Sequence, residues 1–240
     1  MGVDWMGWPE ELAGEALPDG GALALLRVYA WLSPVFPTGG FAYSGGLECA
    51  IAEGQVAGES GLGSWLSAII WRGGLRNDAI LLGRAWALAH DGEELRRLCE
   101  LALALAPGAE RHGESLAIGR SVLDAVQAWP QLAPIAGHAL PEPAFPIVYG
   151  AACRLGGIGR HVAVPLFMQA WASSQLQAAI RLSVTGQAGA ARLLAALERQ
   201  IDAAAAEFAG RDLDDLGSLS INADIACLRH EMLEVRLFRS

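Results

Sequence analysis

The side chains in this chain of 240 residues that could do chemistry are few and scattered. His230-Glu231 opens an H-E-x-x-H pattern, the helical arrangement that brings two imidazoles to one zinc ion, but Glu234 stands where the second histidine should fall. A histidine and a carboxylate four residues apart can share a metal, yet without a third ligand they define no site. Gly40 to Gly46, reading GFAYSGG, has the glycine spacing of a phosphate-binding loop, with Gly46 in the place of the essential lysine. Every one of the 17 basic residues is arginine, which removes Schiff-base chemistry and lysine general bases together. Glu110 and Glu114 share a helix face, and read as a solvated pair rather than an acid-base couple. No serine, threonine or cysteine has a legible base beside it. No catalytic residue, metal ligand or cofactor is therefore assigned.

Composition narrows the partners. A net charge of −9 argues against nucleic acid, which needs clustered cations to neutralise its phosphates. With 53% hydrophobic and only 18% charged residues, little polar surface remains to cover a compact particle, so some apolar surface is expected to face other proteins. The cysteines, Cys49, Cys99, Cys153 and Cys227, are far apart and unpaired in pattern, as reduced thiols of a cytoplasmic protein would be. No apolar run reaches the length of a membrane span, so no membrane association is expected.

The elements that must carry these residues are helices. Apolar residues recur at helical spacing from Ala22 onward and strand-like alternation is nearly absent, which predicts an all-α single-domain helical bundle of roughly ten helices over 22–240, after a flexible N-terminal extension over 1–21. Ser33-Pro34 ends a first helix that begins near Ala22. Gly73-Gly74 separates two helices, Asp91 with Glu94 starts another, and Pro146 and Pro165 suit first turns. The last helix is expected from Asn222 to Val235, with Ile221, Ile225, Leu228, Met232 and Val235 recurring along it. Beyond it lie Arg236, Leu237, Phe238 and Arg239. Composition alone leaves open whether this tail folds back on its own core or docks on another protein.

Three blocks resemble one family. Ser33-Pro34-Val35-Phe36-Pro37-Thr38-Gly39-Gly40-Phe41-Ala42-Tyr43-Ser44-Gly45-Gly46-Leu47-Glu48 is similar to the characteristic Ser-Pro-x-x-Pro-x-Gly-x-Phe-x-Tyr-Ser-x-Gly-Leu-Glu pattern of UreF, the urease accessory protein family. Ala179-Ile180-Arg181-Leu182 with Gly186-Gln187 and Arg192-Leu193-Leu194 resembles a second family block, and Arg229-His230-Glu231 with Arg236 to Ser240 a third. The resemblance implies an all-α scaffold, often dimeric, with no reaction of its own. It binds UreD (also called UreH) and the GTPase UreG, and this assembly inserts nickel into apo-urease with GTP hydrolysis.

Carried over residue by residue, the partner-binding set would be Pro37, Phe41, Tyr43, Ser44, Glu48, Arg181, Gln187, His230, Glu231, Arg236, Leu237, Phe238 and Arg239. The resemblance favours docking, so the tail is expected to present Leu237 and Phe238 to another protein. Ala188-Gly189, Cys227 and Glu234 depart from the family pattern. A generic helical adaptor unrelated to nickel, and a helical hydrolase using His230 and Glu231, are the alternatives.

Overall fold

The computed structural model describes residues 21–33, 36 and 39–240. The expected extension and Pro37 lie outside the described residues, except that Gly21 already belongs to the first helix. Among the described residues there is no strand, and the α-helices run α1 (Gly21–Leu32), α2 (Leu47–Ala52), α3 (Gly58–Arg72), α4 (Gly74–Ala87), α5 (Gly92–Ala104), α6 (Ala109–Ala125), α7 (Ala133–Gly137), α8 (Phe145–Leu155), α9 (Arg160–Arg181), α10 (Gln187–Phe208) and α11 (Ile221–His230). The all-α expectation is met.

Two helices make the centre. In α8 every residue from Pro146 to Cys153 is buried, as expected of a helix apolar on all sides. It lies against α4, which buries Leu75, Ile80, Leu81 and Leu82. Gly150 lets the two backbones close up, since a Cβ there would stand 2.5 Å from the Leu82 carbonyl oxygen. Helices α5 and α6 cover one side of this pair, while α9 and α10 cover the other. Helix α2 is short and packs between α9 and α11.

Local signals set most boundaries. Asp91 caps α5 by accepting from the Glu93 and Glu94 amides, 3.1 Å each. Gly73 breaks α3 from α4, and Pro146 sits in the first turn of α8. Helix α9 starts at Arg160, with the extended Gly159 as its N-cap, so Pro165 falls inside the helix rather than in its first turn as expected.

The last helix departs most. It ends at His230 rather than Val235, and its buried face is Ala223, Ala226, Cys227 and His230. The apolar series Ile221, Ile225, Leu228, Met232 and Val235 is left exposed. Small residues on the inner face allow α11 to lie almost on the backbone of the loop before α2, which the larger side chains could not do.

Candidate partner-binding site at the C-terminal edge

The loop before α2 is built to be approached closely. Gly39, Gly45 and Gly46 have φ of 67°, 59° and 82°, a left-handed region that side chains disfavour. At Gly46 a Cβ would also stand 2.8 Å from the Cys227 nitrogen, so this glycine is required twice over. The turn delivers Tyr43, Ser44 and Glu48 to the interior, and all three are buried.

The C-terminal tail closes on that loop. The Arg239 amide donates to the Ala42 carbonyl at 2.8 Å and the Ser44 amide to the Ser240 main-chain oxygen at 2.7 Å, while the Ser44 hydroxyl donates to the same Ser240 oxygen. Phe238 is buried, with the Arg181 guanidinium 4.2 Å from its ring centroid, and Arg181 also donates to the Phe41 carbonyl at 3.0 Å.

Glu48 is the hub. Its carboxylate accepts from the Leu237 amide at 2.8 Å and the Phe238 amide at 3.0 Å, and meets His230 Nε2 at 3.0 Å. His230, with 0% of its surface exposed, meets Glu110 through Nδ1 at 2.6 Å. Arg236 donates to the other oxygen of Glu110, also at 2.6 Å. Glu231 accepts from the Ala109 and Glu110 amides at 3.0 and 3.4 Å. It thus caps α6, whose own N-cap Gly108 has no side chain to offer.

A second polar chain lies beside the first. The Ser240 hydroxyl donates to Glu114 at 3.3 Å, and Arg111 joins Glu114 at 3.1 Å to Asp78 at 2.7 Å. Glu110 and Glu114 are therefore structural carboxylates in a bonded network, not the solvated pair expected from the sequence.

Burial raises the Glu48 carboxyl, but the Leu237 amide, His230 and the Phe238 amide together hold it below the ordinary carboxylate value. A carboxylate lowered on folding contributes stability above its unfolded value and loses it as pH falls through the folded one. Resistance to urea should accordingly decline on acidification below about pH 4, and Glu48→Gln should lose less over the same interval. Equal losses in the two proteins would show that other groups govern the acid limb. Burial also pushes the Cys227 thiol up to about 12, so it stays protonated near neutrality.

The tail is thus tied down within its own chain, against the expectation that Leu237 and Phe238 are both presented. Phe238 turns inward because Glu48 needs the amides of both residues and Arg181 covers the ring. The exposed apolar side chains at this end of the chain are instead Leu228, Met232, Val235 and Leu237, with Met232 and Val235 83% and 84% exposed. Beside them an open cleft of about 640 Å³ is walled by Tyr43, Glu110, Glu114, Arg236, Phe238 and Arg239. Phe41 is exposed at the far side of the Arg181 contact.

Of the sequence-flagged residues, Phe41, Tyr43, Ser44, Glu48, Arg181, His230, Glu231, Arg236, Leu237, Phe238 and Arg239 come together here. Gln187 does not: it opens α10 on the surface and takes no part in these bonds. Glu110, Glu114 and Ser240 were missed as members. No local signal marked them, since their partners His230, Arg236 and Glu114 or Ser240 lie more than a hundred residues away along the chain. Both nitrogens of His230 meet carboxylates, and Glu231 caps α6. Among the described residues no cluster of three or more His, Cys, Asp and Glu is arranged to hold a metal ion, and no helix is long and apolar enough to cross a membrane.

Fold and site define an all-helical protein whose C-terminal edge is bonded to its own interior and carries exposed apolar side chains. The family model of UreF matches residues 56–198. The chain is 44% identical over 217 residues to the urease accessory protein UreF of Brucella ovis, covering 90% of this chain and 94% of that one. It is 44% identical over 218 residues to its counterpart in Rhizobium etli, covering 90% and 96%, and 42% identical over 227 residues to that of Agrobacterium fabrum, covering 92% and 99%. The chain belongs to the UreF family.

Proposed function

We propose that this chain is a urease accessory protein that works as a scaffold without a reaction of its own. In the cytoplasm it joins a UreD/UreH-type protein and the GTPase UreG in a complex, as a homodimer, that loads nickel into apo-urease and regulates the GTPase. Family membership supports the urease part of this reading. The observation that carries the scaffold part is the exposure of the apolar side chains Leu228, Met232, Val235 and Leu237, called the ridge here, on a segment anchored to Glu48 through the Leu237 amide. An exposed apolar ridge next to charged groups suits a protein interface, where a few buried apolar anchors supply most of the affinity.

We assign the ridge to the UreD/UreH-type partner, and the Phe41 side of the loop to the GTPase. Replacing Met232 and Val235 together by aspartate should weaken co-purification with the UreD/UreH-type partner by about 30-fold or more, the cost of losing one hot spot of about 2 kcal/mol. Thermal stability should be unchanged to within about 0.5 kcal/mol, because neither side chain is packed. Undiminished capture by the double variant would dismiss the ridge as the docking surface. A chain that captures both partners yet leaves urease without nickel in cells would instead point to a helical adaptor of another kind.

A further inference from the structure

The pairing of His230 carries a consequence beyond packing. Its ring has 0% exposure and lies between two carboxylates on different helices, Glu48 of α2 at Nε2 and Glu110 of α6 at Nδ1. A carboxylate only accepts, so both contacts are hydrogen bonds only when both ring nitrogens carry hydrogen. The ring is then an imidazolium, and the local charges balance: His230 and Arg236 against Glu48 and Glu110. A neutral ring would turn one bare nitrogen toward a carboxylate oxygen and leave the cluster with an uncompensated buried negative charge, a costly state.

The other charged groups nearby face elsewhere. From α6, Arg111 and Glu114 pair with each other and with Asp78 of α4; from α11, Cys227 is a protonated thiol and Glu231 caps α6. The same two carboxylates that grip the ring hold the tail, Glu48 through the Leu237 and Phe238 amides and Glu110 through Arg236. Ring and tail thus share their anchors.

We propose that His230 is a positioning residue whose protonation latches the C-terminal edge: as an imidazolium it ties α2 to α6 and fixes the ridge, and on losing its second proton it lets the edge loosen. This rests on the docking role proposed above for what the latch does, since partner capture would then weaken as pH rises. The proton comes from and returns to solvent, and no covalent step is involved.

The test uses the full chain labelled for nuclear magnetic resonance. Exchange protection of the Leu237 and Phe238 amides, corrected for intrinsic rates, is followed from about pH 6 to about pH 9. Protection should fall at least about tenfold as the charged hydrogen bonds are lost. In Glu110→Gln, whose amide can donate to a bare Nδ1, that fall should vanish while the tail stays held at high pH. In His230→Gln, protection should be lower throughout and independent of pH.

A flat profile in the native chain, or the same fall in Glu110→Gln, overturns the latch. If the variants do not fold, the native chain still decides: His230 must show two protected ring N–H signals at the low end, and a single one overturns the proposal. Capture of the UreD/UreH-type partner is measured alongside. Protection that falls without loss of capture keeps the latch and removes the docking role, whereas flat protection removes the latch whatever capture does.

Discussion

Glu48→Ala should destabilise the chain by about 3 to 5 kcal/mol, because three buried groups lose their shared partner at once. Its carboxylate is the common acceptor for the Leu237 and Phe238 amides and for His230. Each buried donor left without an acceptor costs about 1 to 3 kcal/mol, so the three losses reach the range even if water reclaims one of them. For a chain with the usual stability of about 5 to 15 kcal/mol, that is a large fraction. Urea denaturation measures it, and hydrogen exchange should show the two tail amides losing protection before the core helices do. Glu48→Gln should cost less, since its amide oxygen still accepts. A Glu48→Ala chain as stable as the native one would mean that the tail is held by its other anchors, Arg239 on Ala42, Ser240 on Ser44, Arg236 on Glu110 and Arg181 over Phe238.

This expectation could not have come from the sequence. Glu48 and His230 are 182 residues apart, and nothing within a window around either residue reveals the other. Asp91, Gly73 and Pro146 announced their roles because caps, breaks and first turns are decided within one turn of chain. Fold class was legible for the same reason, the helical period being a local property.

What failed was the choice of face. In α11 the larger apolar residues form the regular stripe, yet the buried side is Ala223, Ala226, Cys227 and His230. Helix α1 likewise buries only Val28 and Trp31, leaving Leu25, Leu26 and Tyr29 exposed. Period identifies a helix, but burial depends on how near the neighbouring backbone comes, and at Gly46 it comes too near for anything larger than a small side chain.

The resemblance, by contrast, grouped residues that periodicity could not. Its first and third blocks meet in the bonds of Ala42 and Ser44 to Arg239 and Ser240. From the second block Arg181 joins them over Phe238, while Gln187 lies at the start of the next helix. Shared sequence blocks therefore mixed two kinds of constraint: residues that bond the edge together and residues placed elsewhere on the surface.

Gly119→Ala in α6 should lower stability by about 3 kcal/mol, the upper end of the overpacking range, although alanine is the better helix former. Propensity alone would favour the change by about 1 kcal/mol. Against this, a Cβ at Gly119 would overlap the Pro143 carbonyl oxygen and lie 2.8 Å from the Pro143 carbonyl carbon, backbone atoms that cannot swing aside. The segment is also fixed to its surroundings, the Phe145 amide donating to Ser115 of α6 at 3.3 Å and the Ala144 amide to Cys99 of α5 at 3.4 Å. Separation of α6 from this segment would break those bonds and shift the helix that carries Glu110 to His230, so loss of tail protection should accompany the loss of stability. Gly113 on the same helix is the control: a Cβ there meets nothing within 4 Å, and Gly113→Ala should gain up to about 1 kcal/mol. At roughly 2 to 4 °C per kcal/mol for a chain of this size, thermal melting should separate the two variants by about 8 to 16 °C. Melting temperatures that rise in both would show that the Pro143 turn yields and that α6 is not the rigid strut of the C-terminal edge.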